Sequence, residues 1–469
     1  MSIDSAPIRT RPGRPSVPHR QYQPVESQPS SQPLSPVPRG WLYPGEPETC
    51  RRDPIAFLRI WLHLAVLAGI FAVYRLEGRA MWIVLAIATA ALPVHDALPY
   101  RWKKPFFSLI SLAGFVLVFG LQTMLWVGSL ASLAIGLCFT RFSWTKRALL
   151  VAFVGLTLAL LRAGTIALPV AIPDLVWPVL GSILMFRLIL FLYEQKYAET
   201  SPVDAAAYFT LLPNACFVHF PVVDFRAFTR GYFSAPIRGI QSTGLTYLTR
   251  GMLHLLCYRL VYHKLISPVE EIDSPAKLAL FLVANYLLYL RVSGQFHIAC
   301  GLLHLFGFQL PETHHRFLLA SSFTDYWRRI NIYWKDFMVR LVFHPVAFAL
   351  RRRSQPLALG IATLAVFVTT WLLHGYQSFW LRGTWTLSIP DALFWGILGV
   401  LVLINVQLES RAKPRRTQKQ QTARTALAHV LRTAATFVTI TILWSLWSSP
   451  SLDSWLGLMR QGLFGVAVP

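Results

Sequence analysis

Residues 357–375 read LALGIATLAVFVTTWLLHG, an apolar run broken only by glycine and threonine until His374. At 1.5 Å per residue such a run covers about 28 Å as a helix, close to the hydrocarbon thickness of a bilayer. An imidazole at the end of it is costly unless it faces a cavity or another helix. The stretch reads as a membrane-spanning helix that carries a polar group into the protein interior.

The whole chain repeats that pattern. Of its 469 residues 54% are hydrophobic and only 14% charged, whereas an ordinary soluble domain carries about 25% charged residues. The 16 Trp, 16 Tyr and 31 Phe suit membrane interfaces and helix packing in lipid. A net charge of +23 raises nucleic acid as a partner, but the basic residues fall between apolar segments and not on a soluble scaffold, so no nucleic-acid binding is expected. The clusters at Arg9, Arg11 and Arg14, Arg101 to Lys104, Lys146 and Arg147, Arg351 to Arg353, and Arg411 to Arg424 read as cytoplasmic connections.

Apolar segments run over about 55–75, 80–98, 106–140, 148–172, 175–193, 204–222, 240–266, 277–308, 357–375, 390–408 and 427–449. The 106–140 stretch is too long for one pass, and Gly128 and Ser129 offer a break. With that split the basic clusters share one side of the membrane, with the N-terminus cytoplasmic. The expected fold is an all-α polytopic transmembrane bundle of about ten to twelve membrane segments. Residues 1–50 are Pro- and Ser-rich, without an apolar core, and read as a disordered basic tail with no cleavable signal peptide. Residues 51–469 form one membrane domain, in which insertion would use the first transmembrane helix.

Polar residues concentrate in two places, Asp325 to Phe337 and Leu372 to Trp380. His374 can act as a base, because a neutral imidazole can take a proton from a hydroxyl. It can equally be a packed, hydrogen-bonded contact between helices. The region from Pro311 to Arg353 holds Asp325, Arg328, Arg329, Lys335, Asp336 and Arg340, too many ions for an ordinary lipid-facing span. The five cysteines show no CxxC or Cys/His ligand spacing.

Four blocks, in order, carry a resemblance. They are YLRVSGQFHIACG at 289–301, LFGFQLPE at 305–312, SFTDYWRR at 322–329 followed by Asn331 and Trp334, and WLLHG at 371–375. Together they resemble the membrane-bound O-acyltransferase family, nearest the bacterial branch of alginate O-acetylation and D-alanyl transfer proteins, across roughly residues 175–410. The resemblance implies helices around a central tunnel, with donor and acceptor approaching from opposite membrane faces. It implies His374 as the catalytic residue and Asn331 as its polar partner. No permanently bound cofactor is implied, the acyl donor being an acyl-CoA or acyl-carrier-protein thioester. The expected surroundings are the bilayer of the cell inner membrane and a periplasmic partner, an acyltransferase or esterase-like protein. Three positions depart from that branch: Asn331 stands where His is usual, Ile330 where Trp is usual, and His297 where an acidic residue is usual.

The remaining candidates keep two readings each. Arg328, Arg329 and Lys335 can bind the phosphates of a donor, or mark the cytoplasmic boundary by snorkelling. Asp325 and Asp336 pair with those cations. His297 and His304, seven residues apart on one helical face, lack carboxylate or thiolate support for a metal, and His297 is expected as a second polar tunnel residue. His314 and His315, after the Pro-Glu turn, are expected at the surface. Tyr376 and Gln377 either position substrate or pack. A transporter or channel, or a non-catalytic homologue that binds lipid or a partner, would also bury ionisable residues.

Overall fold

A computed structural model describes residues 40–216, 221–352, 354–411 and 423–465. It is 77% helical with no strands, an all-α polytopic bundle with ten helices long and apolar enough to cross a membrane among the described residues.

Helices α1 (Pro54–Tyr74), α2 (Arg79–Ala97), α3 (Tyr100–Phe119), α4 (Leu121–Cys138), α5 (Trp144–Arg162) and α6 (Val176–Gln195) follow one another closely. Asp53 caps α1 by accepting from the Ile55 and Ala56 amides, with Pro54 at the first helical position where its missing N–H costs nothing. Phe153 and Leu149 on α5 are two-thirds exposed, which is the apolar face that lipid would cover. The break expected at Gly128 lies instead at Gly120, whose φ of +82° turns the chain between α3 and α4. That left-handed conformation suits glycine, whereas Gly128 continues α4. Arg101 to Lys104 and Lys146 to Arg147 accordingly sit in the first turns of α3 and α5, not in loops.

Residues 1–39, the greater part of the expected tail, lie outside the described residues. Residues 40–52 are folded: Trp41 bridges to Arg52, and the buried Arg52 guanidinium stacks on Trp41 and Tyr43, pairs with Glu46 and donates to the Asp96 and Leu98 carbonyls. A buried charge without such partners would be strongly destabilising. The strap thereby ties the chain ahead of α1 to the end of α2.

The described residues of the apolar stretch 204–222 form no spanning helix. The stretch holds the short helices α7 (Pro202–Phe209) and a buried 3-10 turn at Leu212–Ala215, and leads to α8 (Phe225–Arg230). Helix α9 (Ile237–Leu260) then packs along α11 (Leu290–Leu305), which continues α10 (Pro275–Leu287) after a bend at Leu288 and Tyr289. Glycines let the two backbones meet. A Cβ on Gly244 would lie 2.8 Å from the Gly301 carbonyl oxygen, and one on Gly251 2.7 Å from that of Gly294. The relation is reciprocal: Cβ atoms on Gly294 and Gly301 would meet the Gly251 and Gly244 carbonyls. Small residues at two-turn spacing on both helices permit this close approach, as membrane helices commonly require.

Between α11 and the long helix α15 (Gln355–Arg382) the chain forms only short helices: α12 (Phe323–Arg329), α13 (Ile332–Met338), then, after one turn of π-helix, α14 (His344–Leu350). This agrees with the charge count that ruled out a lipid-facing span there. Helix α16 (Ile389–Arg411) packs beside α15, α17 (Ala423–Ser448) packs on α16 and α10, and α18 (Leu452–Phe464) follows. Most of the Arg411 to Arg424 cluster lies outside the described residues, as does Arg353.

Gly251→Val is expected to destabilise the protein by about 1–3 kcal/mol through overpacking against α11. Gly155→Val on α5, where a Cβ meets nothing within 4 Å, should leave the melting temperature in detergent almost unchanged. Equal melting temperatures for the two variants would remove the glycine contact from this account.

Candidate functional site

The short helices α12 and α13 are folded back into the bundle, and their conformation is set by side-chain caps. Ser322 caps α12 by accepting from the Asp325 amide, and Asp325 accepts in return from the Ser321 amide. Asn331 joins the two helices in a left-handed conformation, φ +39° and ψ +63°, and its Oδ1 caps α13 by accepting from the Trp334 amide at 3.3 Å. Asparagine is among the few non-glycine residues that adopt this backbone readily.

Helix α13 is then tied to α15. The Trp334 indole donates to Thr370 Oγ1 at 3.3 Å, one turn before His374 on the same helix. This link brings Asn331 and His374, distant in sequence, to one cavity of about 390 Å³. Aromatic rings enclose the imidazole: the Trp395 centroid lies 4.9 Å from it, Trp447 5.7 Å and Trp334 6.1 Å. Gln377 and Ser378, on the next turn of α15, also line the cavity.

The described lining residues include two guanidinium groups, Arg187 and Arg382, and no carboxylate. Arg187 is fully buried and donates to the Tyr208 carbonyl at 2.7 Å. With the Asn214 amide turned so that its oxygen faces the guanidinium, that oxygen accepts from Arg187 as well. The cavity is thus lined mainly by apolar side chains, with two guanidinium groups among its described lining residues.

Other residues expected at the site lie elsewhere. Arg328 is mostly exposed and pairs with Glu409 at 3.3 Å, Arg329 pairs with Asp325 at 2.7 Å, and Lys335 with Asp336 at 2.6 Å. None of these three cations lines the cavity. Tyr376 packs against Trp380 and Trp385 on another face of α15.

His297 is buried on the far side of the same wall, where Nδ1 donates to the Ser293 carbonyl at 2.7 Å and Nε2 stands 3.8 Å from Glu312. His304 has both ring nitrogens engaged, with the Cys300 carbonyl at 2.8 Å and the Leu310 amide at 3.3 Å. Among the described residues no group of three or more His, Cys, Asp or Glu side chains could hold a metal ion. His314 corrects the expectation of a surface pair. It is buried whereas His315 is exposed, because the loop is pinned inward by hydrogen bonds from the Ile332 amide to Thr313 and from the His315 amide to Arg329.

Asp391 was not singled out in the sequence. It is buried near the start of α16, accepts from the Trp447 indole at 2.5 Å, and lies close to the indoles of Trp395 and Trp371. Two of those rings, Trp447 and Trp395, pack on His374, so Asp391 holds the aromatic frame around the imidazole. Its only signal was an acid at the mouth of an apolar run, a place where a boundary residue is ordinary.

Comparison with family models and with curated proteins returned no match.

Glu312 supplies a measurable electrostatic signature. Burial alone would raise its carboxyl, but His297 and His315 beside it and the charge of Arg250 outweigh that and hold it at about 2. A carboxylate whose folded value is depressed stabilises the fold above the ordinary value, and loses that contribution as pH falls through the folded one. Glu312→Gln should therefore melt below the wild type at pH 7, with the gap closing from about pH 4.5 towards pH 2. A gap independent of pH would contradict the ionised pairing.

Proposed function

We propose that the chain is a membrane-bound O-acyltransferase, moving an acyl group from a cytoplasmic thioester to a hydroxyl of an envelope glycan, lipid or similar acceptor. The observation that carries the reading is that His374 and Asn331 line one cavity with aromatic walls. These are the two residues that the resemblance in the sequence marks out, and nothing in local sequence requires them to meet.

The chemistry follows from the groups present. His374 takes the proton of the acceptor hydroxyl as its oxygen attacks the thioester carbonyl. With Asn331 Oδ1 occupied by the Trp334 amide, the NH₂ of the same side chain is left to donate to the oxyanion of the tetrahedral intermediate. Arg187 and Arg382 line the same cavity, and guanidinium groups there add to that stabilisation. Collapse expels the thiolate, which takes back the proton held by His374, so the transfer needs no net proton. The aromatic walls limit access of water and thereby suppress hydrolysis of the thioester.

The donor is an acyl-CoA or acyl-carrier-protein thioester, which reaches the cavity from the side of the basic clusters. On this reading the protein resides in the inner membrane of a bacterium with its N-terminus cytoplasmic. A periplasmic acyltransferase or esterase-like partner would pass the acyl group onward.

The test is acyl turnover in nanodiscs with labelled thioesters, paired with mass spectrometry of envelope glycans and lipids from a deletion strain. His374→Ala, inserted normally, is expected to lose about 10²–10⁴-fold in rate. Full activity in that variant would sink the assignment, and substrate flux in proteoliposomes without acyl turnover would favour a transporter.

Asn331→Asp separates structure from chemistry. It keeps a capping acceptor and a residue type that tolerates the left-handed backbone, but removes the amide donor. Its melting temperature should match the wild type while kcat falls about 10²-fold or more. An unchanged kcat would restrict Asn331 to a capping role.

A further inference from the structure

On the wall formed by α11, Tyr289 lines the same cavity as His374 and Asn331. Its hydroxyl lies 2.9 Å from His314 Nε2, and its ring packs at 5.2 Å on Trp444. Trp444 in turn packs at 4.8 Å on Trp447, one of the rings against His374. The tyrosine is therefore held at both ends, by an imidazole at the hydroxyl and by an indole at the ring.

His314 is itself fixed. Its Nδ1 is 3.2 Å from Thr313 Oγ1, and its ring lies among Phe296, Phe317 and His297. Burial, followed by the His297 and His254 rings, pushes its pKa well below the ordinary imidazole value. The ring is then neutral and has one N–H to give. In the tautomer in which the Thr313 hydroxyl donates to Nδ1, that N–H is on Nε2 and donates to the Tyr289 oxygen. That tautomer leaves the phenolic proton available to a ligand in the cavity that Tyr289 lines.

We propose that Tyr289, oriented by His314, is the second hydrogen-bond donor to the acyl carbonyl oxygen, completing with the Asn331 amide the pair that stabilises the oxyanion. The proposal rests on the acyl-transfer reading and deepens it. Tyr289 acts on the reacting oxygen, and His314 is a positioning residue. A site walled largely by aromatic rings is where such a donor has a large effect, because low-polarity surroundings screen the developing charge weakly. No proton is transferred by Tyr289: it lends its O–H to the oxyanion and keeps it when the carbonyl re-forms.

The experiment uses the full chain in nanodiscs with S-octanoyl-N-acetylcysteamine, labelled with ¹³C at the thioester carbonyl. Isotope-edited infrared spectra read the hydrogen bonding of the bound carbonyl whether or not turnover occurs. The wild type should show the carbonyl band shifted to lower wavenumber, and Tyr289→Phe, which deletes one oxygen, should lose part of that shift. In turnover, Tyr289→Phe should lower kcat about 10²-fold with KM little changed. His314→Leu should reproduce the loss, His314→Gln, whose amide can still donate, should restore most of it, and the Tyr289→Phe, His314→Leu double variant should be no worse than Tyr289→Phe alone. A carbonyl shift lost in Tyr289→Phe without turnover in any variant would sink the acyl-transfer reading and leave the Tyr289 donor standing. An unaltered band in Tyr289→Phe, or no bound band in the wild type, would overturn the proposal whatever the turnover.

Discussion

The close approach of α9 and α11 is the contact on which the interior arrangement depends. With glycine at 244 and 251 facing glycine at 294 and 301, each backbone carbonyl occupies space that a Cβ would fill. Helix α11 is thereby buried over nearly its whole length, and its polar residues must be satisfied inside the protein. Gln241 donates to the Leu305 carbonyl, His254 meets the Ser293 hydroxyl, and His297 and His304 bond to carbonyls one turn back. The opposite edge of α11 presents Val292 and Phe296 to the cavity, beside Tyr289 in the bend before the helix. One side of the helix is therefore locked by backbone contact while the other forms the wall of the candidate site.

A second constraint is the non-helical backbone that the fold brings inside the bundle between α11 and α15. Its N–H and C=O groups cannot rely on water or lipid, and each unmatched one costs several kcal/mol in order of magnitude. The chain answers with bonds between loops: Phe233 to Gly307, Gln309 to Gly231, Ile332 to Thr313 and His315 to Arg329. Charged groups nearby are also matched, Arg340 pairing with both Glu194 and Asp224. Such a segment persists only where the surrounding helices enclose it, and this is the segment that carries Asn331 and His314.

Hydropathy made the spanning helices legible because lipid imposes one rule on every segment, apolar length. It failed where the deciding quantity was a backbone angle or a tertiary partner. Gly120 and Gly128 are alike in composition, and only the positive φ of Gly120 marks the turn. The 204–222 stretch is as apolar as a span, yet its described residues form short helices beside the buried Arg187. Within the site, His374 and Asn331 stood out because each belongs to an ordered block of neighbours. Asp391 and Arg187 did not, since a lone ion near the end of an apolar run has the same pattern whether it faces water or a cavity. Arg328, Arg329 and Lys335 show the converse: a dense cationic cluster draws attention in sequence, and here each member is matched by its own carboxylate outside the cavity.

The position of Asn331 joins the two kinds of constraint. A left-handed residue that must also cap the following helix selects a short polar side chain, and Asn, Asp and His are the non-glycine types enriched in that conformation. The bacterial branch that the chain resembles usually places His there, and His satisfies the same backbone requirement. On the acyl-transfer reading, Asn in place of His is conservative for the fold and not for the chemistry. Asparagine donates through an amide that does not titrate, whereas an imidazole would bring a second group able to exchange protons in the working pH range. On the acyl-transfer reading, His374 is the only imidazole among the described lining residues of the cavity, so proton transfer has a single owner and the neighbouring donors are confined to stabilising charge.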